Sequence, residues 1–138
     1  MIATLVRGAV GPFQLQAAIS AVHADAADFD HTDWREICRL YEKLHEMQPS
    51  PIVALNGVVA RSFADGASAG LAALDALDLD EMLGSYMPYH LSRADMLRRT
   101  GDRASAHAAY LLARKLTDND SERNFLDTRI AETSLPEC

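Results

Sequence analysis

The sequence predicts an all-α fold of about seven helices arranged in antiparallel hairpins. Apolar residues recur at three- and four-residue spacing along the chain, and no stretch alternates as a half-buried strand would. The composition leans to Ala, Leu and Arg, which are good helix formers. Pro and Gly fall at boundaries between the periodic stretches, where a helix starts or stops. With 138 residues, 49% hydrophobic and 24% charged, the chain has the size and composition of one globular domain. The helical region is expected over 11–133, between an N-terminal arm at 1–10 and a tail at 134–138.

The first helix opens at Gly11-Pro12, because proline in a first turn gives up only an N–H that would be unpaired anyway. Leu15, Ile19 and Val22 mark its buried face, and it fades over 24–27 into an acidic loop at 25–30. Asp33 caps the second helix, with Glu36 in its first turn beside the positive end of the dipole. Trp34, Ile37, Tyr41 and Leu44 form its stripe. Pro49-Ser50-Pro51 ends that helix and starts a third, with Ser50 as cap; Gly66 stops it. A short Ala/Leu helix follows over 67–77, then an acidic connector over 78–87 with one loose turn. Pro88 opens a fifth helix that Gly101 stops, a sixth runs over 103–117, and a seventh carries Phe125, Leu126 and Ile130.

Two stretches align without gaps, Val53–Leu77 and His90–Arg114, with Ala69 on Ala106 and an identical Ala-Ser-Ala in each. Small residues at matched places let two helices cross closely, and a larger residue such as Tyr110 fills the space further along. The second copy resembles a tetratricopeptide repeat, whose period is about 34 residues. Ala94, Gly101, Ala106, Tyr110 and Ala113 stand where that motif has small, turn, small, aromatic and small. The first copy is degenerate, with Ala73 in place of the aromatic. The expected architecture is therefore a tetratricopeptide-like right-handed solenoid.

Chemistry-bearing motifs do not accompany it. The sequence has no GxSxG elbow, no P-loop, no GxGxxG and no HExxH. Cys38 and His45 stand two helical turns apart, about 10 Å, too far for a nucleophile and its base. Two cysteines make neither a zinc site nor a disulfide framework, so no metal or other cofactor is expected and a reduced, cytoplasmic setting fits best. Arg7 interrupts the only stretch that could serve as a signal peptide, and no apolar run is long enough to span a bilayer. A formal charge of −7 disfavours direct binding of nucleic acid, whose phosphates call for a basic footprint. The basic group Arg98, Arg99 and Arg103 reads first as favourable charge near a helix C-terminus. Arg61 and Arg98 coincide between the two copies, at a place that faces the concave groove in tetratricopeptide arrays.

Five ordered blocks add a more specific signal: Gly11-Pro12-Phe13-Gln14-Leu15-Gln16-Ala17-Ala18-Ile19 running on to Val22-His23-Ala24; Thr32-Asp33-Trp34 with Leu40-Tyr41; Pro49-Ser50-Pro51-Ile52-Val53-Ala54-Leu55-Asn56; Tyr89-His90-Leu91 with Arg93-Ala94-Asp95 and Leu97-Arg98-Arg99; and Glu122-Arg123 with Phe125-Leu126. In this order they resemble the tetratricopeptide-like C-terminal extension of a group of bacterial extracytoplasmic-function sigma factors. The resemblance covers about 11–132. It implies a cytoplasmic regulatory domain, not an enzyme, that contacts sigma region 2, sigma region 4 or the RNA polymerase core. The chain itself lacks the sigma regions and a helix-turn-helix, so it is expected to be an excised domain or a stand-alone copy of one. The family often has a larger residue after the Asn of Asn56-Gly57, so a closer helix crossing is expected there.

The candidate partner-binding residues are Gln14, Gln16, His23, Asn56, Arg61, Tyr89, His90, Arg93, Asp95 and Arg98. They are polar or aromatic residues of the blocks that a core does not require, with the Arg61/Arg98 pair added from the repeat. Asn56 and His90 have an equally simple structural use, satisfying buried polar groups between helices. An alternative class is a small-molecule sensor with a pocket near Tyr89, His90, Arg93 and His23, which would require an enclosed cavity with convergent polar groups. Self-association through uncapped solenoid ends is a third option.

Overall fold

A computed structural model of the chain describes residue 11, residues 14–19 and residues 32–134. The N-terminal arm, Val22, His23, the expected end of the first helix over 24–27, the 25–30 loop and the end of the tail lie outside the described residues. All the regular structure described is helical: α1 over 14–19, α2 Trp34–Met47, α3 Pro51–Ala64, α4 Ala67–Leu77, α5 Asp80–Leu83, α6 Met87–Thr100, α7 Arg103–Lys115 and α8 Asp120–Thr133. The all-α expectation is met. The region read as one domain divides into two compact units, Met1–Gly66 and Ala67–Cys138.

In the first unit α2 packs against α3. Asp33 caps α2 by accepting from the Glu36 amide at 3.1 Å, and Ser50 caps α3 by accepting from Ile52 and Val53. The core brings Leu15, Ala18 and Ile19 of α1 onto Ile37, Leu40 and Leu44 of α2 and Ala60 of α3. Trp34 and Tyr41 from the expected stripe sit half-buried at its margin, and Leu40 joins the core. The Trp34 ring meets Phe63 with centroids 4.6 Å apart. Gly57 permits the close α2–α3 crossing, since a Cβ there would lie 3.3 Å from Tyr41 Cβ.

In the second unit α6 and α7 fold back on one another across the link Gly101-Asp102, α8 packs on α7 and α4 packs on α6. The small residues act as the sequence predicts. Ala94, Ala106 and Ala113 are fully buried, and Tyr110 fills the space they leave together with Leu97, Ala109 and Leu126. Asp102 caps α7 through the Ser105 amide at 3.1 Å. Three polar side chains tie α7 to α8. Arg103 donates to the carbonyls of Glu132 and Ser134 at 3.1 and 2.9 Å, which places its charge at the negative end of α8. His107 Nδ1 lies 3.2 Å from the Ile130 carbonyl, and Arg114 Nε donates to Asp127 at 2.5 Å.

Gly101 is in the left-handed region at φ +94°, with its amide donating to Arg98 and that of Asp102 to Leu97. A Cβ there would meet nothing within 4 Å, so Gly101→Ala should cost only the conformational penalty, about 1–2 kcal/mol. A urea titration reads it as a lower midpoint at unchanged slope.

Three details differ from the expectation. The connector after α4 holds a defined short helix, α5, because Leu79 and Leu83 are buried and anchor it. The sixth predicted helix ends at Lys115, before Thr117. The Thr117 hydroxyl is buried, donates to Glu122 at 2.5 Å and accepts from the Asn119 amide, a local arrangement that competes with helix. The first copy of the repeat is divided at the unit boundary: α3 belongs to one unit and α4 to the other.

Candidate interaction surface

Most of the sequence-predicted site residues in the second unit are occupied internally. Tyr89 is buried, and its hydroxyl donates a short hydrogen bond to Asp80 at the start of α5. His90 Nε2 lies 2.8 Å from the Gly84 carbonyl, which holds the α5–α6 turn. Arg93 reaches Asp75 of α4 at 3.6 Å. Asp95 pairs with Arg98 at 2.7 Å, and Arg98 Nε donates to the Tyr110 hydroxyl at 3.2 Å. The Tyr89, His90 and Arg93 side chains therefore have three separate partners. Arg98 braces the aromatic at the centre of the α6–α7 hairpin.

Burial, then the Asp80 hydrogen bond, push the Tyr89 phenol up from 10 to about 12. The protonated form is favoured in the folded chain. Its contribution to stability is present in full below pH 10 and is lost as pH rises towards 12. Asp80→Asn should bring the phenol part of the way back down, with the burial component remaining. Ultraviolet difference titration of the tyrosines reads this directly, and an unchanged titration would remove Asp80 as a cause.

The first unit is different. Gln14 accepts from the Gly11 amide at 3.0 Å and serves the start of α1. Arg61 pairs with Asp65, which Arg35 also engages at 2.7 Å. Gln16 and Asn56, from separate sequence blocks, come together in one cleft of about 290 Å³ with Ile19, Tyr41, Leu44, Ile52 and Val53. Both carboxamides are exposed, and neither has a hydrogen-bond partner among the described residues. Two supports account for the cleft. The α3 cap at Ser50 fixes the turn carrying Ile52, Val53 and Asn56, and Gly57 draws α3 onto α2. Tyr41 belongs to the stripe that the sequence marks as core, and the apolar character of the other lining residues carries no signal beyond burial.

A second cleft, of about 200 Å³, lies on the other unit between α6 and α8 and is apolar apart from its Ser121 and Glu122 edge. Met87, Leu91, Phe125 and Leu126 line it, and Phe125 is 45% exposed with the Arg129 guanidinium 5.1 Å from its ring centroid. Among the described residues no group of three His, Cys, Asp or Glu side chains could hold a metal ion. Burial, followed by the nearby Asp65, pushes the Cys38 thiol up, which disfavours the thiolate form. No helix of the described residues is long and apolar enough to cross a membrane.

These features define an all-α protein with an open cleft whose polar groups are neutral. No family model matches the chain, and no solved structure matches it. The chain is 42% identical over 116 residues, 84% of its length, to an uncharacterized protein from Rhizobium meliloti (strain 1021). The match spans about a quarter (27%) of that relative's length.

Proposed function

We propose that the chain is a regulatory protein-interaction domain, the tetratricopeptide-like C-terminal extension of an extracytoplasmic-function sigma factor. On this reading it acts in the cytoplasm, without catalysis or a cofactor, by contacting sigma region 2, sigma region 4 or the RNA polymerase core. The observation that carries the reading is the placing of Gln16 and Asn56 along one cleft. Two polar residues from different resembling blocks line it, and neither has a hydrogen-bond partner among the described residues. The α6–α7 hairpin, with its small-residue crossing around Tyr110, supports the tetratricopeptide-like architecture. The relative's much greater length supports a domain carried beside others.

The test is a pull-down of the folded chain with a fragment containing sigma regions 2 and 4, and separately with core polymerase. Binding to either is expected. Failure of both, with native helicity shown by circular dichroism, would sink the reading. The charge of −7 suits contact with basic DNA-binding segments, so affinity should fall as salt rises. Salt-independent binding would remove charge from the mechanism.

A further inference from the structure

We infer that the cleft formed by α1, α2 and α3 takes the main chain of an extended, uncharged peptide segment, gripped by the Asn56 and Gln16 carboxamides. This rests on the interaction reading above and assigns a site for an uncharged segment of the partner, apart from the salt-sensitive contacts expected of the chain's net charge.

The lining selects the class. Gln16, Ile19, Tyr41, Leu44, Ile52, Val53 and Asn56 carry no formal charge, so a phosphate, carboxylate or ammonium group would enter with no opposite charge to meet it. A primary carboxamide offers donors and an acceptor side by side, which matches the N–H and C=O presented by a peptide backbone. Two such groups stand exposed at the cleft with no hydrogen-bond partner among the described residues, so a bound main chain replaces water rather than breaking the hydrogen bonds described. The Tyr41 hydroxyl also has no partner among the described residues. Burial pushes that phenol up, so it stays protonated and able to donate.

Size and shape favour a segment over an engulfed ligand. A volume of about 290 Å³ falls at the lower limit for small-molecule sites, about 300–1,000 Å³. Ile52, 42% exposed, leaves the edge open. Leu44, Val53 and Ile19 give an apolar floor that can cover one small side chain of the segment while its backbone lies on the amides.

The experiment uses the full chain and a phage-displayed library of random dodecapeptides. Selected peptides are expected to be poor in charge at their shared positions. Asn56→Leu and Asn56→Asp should each bind them about tenfold more weakly, the effect of one or two lost hydrogen bonds. Asn56 is exposed on α3, and unchanged urea midpoints will show that both variants fold. N-methylation of one main-chain amide of the peptide should weaken binding to a similar degree. Recovery of no binders overturns the inference, as do binders indifferent to both Asn56 variants or binders that depend on a charged side chain. The two readings fail separately. Peptides that bind through Asn56, with no binding of sigma fragment or polymerase, reject the sigma reading alone. A sigma fragment that binds Asn56→Leu as it binds the wild type rejects the cleft alone.

Discussion

Tyr110→Ala should destabilise the Ala67–Cys138 unit by about 3–5 kcal/mol, within the range for removing a buried aromatic ring. The upper half of that range is expected here. Tyr110 is fully buried against Ala94, Ala106, Ala109 and Ala113, with Leu97 and Leu126 beside them. Alanines have no further side chain to swing into the space, so the cavity stays open. Tyr110→Phe separates ring from hydroxyl. It keeps the packing and loses the bond accepted from Arg98 Nε, at a cost of about 0.5–1.5 kcal/mol. Arg98 retains Asp95 at 2.7 Å, which limits the loss. Urea unfolding followed by far-ultraviolet circular dichroism measures both. A Tyr110→Ala variant within about 0.5 kcal/mol of the wild type, as surface substitutions usually are, would contradict the close α6–α7 crossing.

Leu44→Ala should cost about 2–5 kcal/mol in the first unit. Leu44 is 1% exposed and lies in the core shared by α1, α2 and α3. It also lines the Gln16–Asn56 cleft, so the substitution lowers the floor on which a bound segment would rest. Partner affinity should therefore fall along with stability, at concentrations of urea far below the transition. Leu116→Ala, at a position 39% exposed, is the comparison: it should stay within about 0.5 kcal/mol of the wild type. Equal midpoints for the two variants would mean that the α2 stripe is not buried as described.

Much of the fold was legible because its determinants are local. Ser50 and Asp33 stand three residues or fewer from the amides they cap, so composition and order are enough to place them. The small residues Ala94, Ala106 and Ala113 were legible too, since their spacing around Tyr110 has one mechanical use. The division of the first copy at Gly66 was less accessible. A repeat pattern records that two helices can pack, whereas the contacts that decide which helices form a unit come from residues far apart in sequence.

The candidate site was legible as a set of polar residues, and the structure sorted them. Tyr89, His90, Arg93, Asp95 and Arg98 all read as surplus to a core, yet each finds a partner: Asp80, Gly84, Asp75, and the Asp95–Arg98–Tyr110 group. Gln16 and Asn56 read the same way and find none among the described residues.

By itself, then, the sequence determined most of the helices, the caps at Asp33 and Ser50 and the close crossing at Tyr110, because hydrogen bonds along a helix, caps and side-chain volume are set by near neighbours. Only the tertiary structure decided which polar side chains remain free to meet another molecule. A hydrogen bond requires a partner within about 3 Å and an ion pair one within about 4 Å. Whether a distant helix delivers one, as α4 and α5 do for Arg93 and Tyr89, is fixed by packing and leaves no mark on the residue's own neighbourhood in the chain.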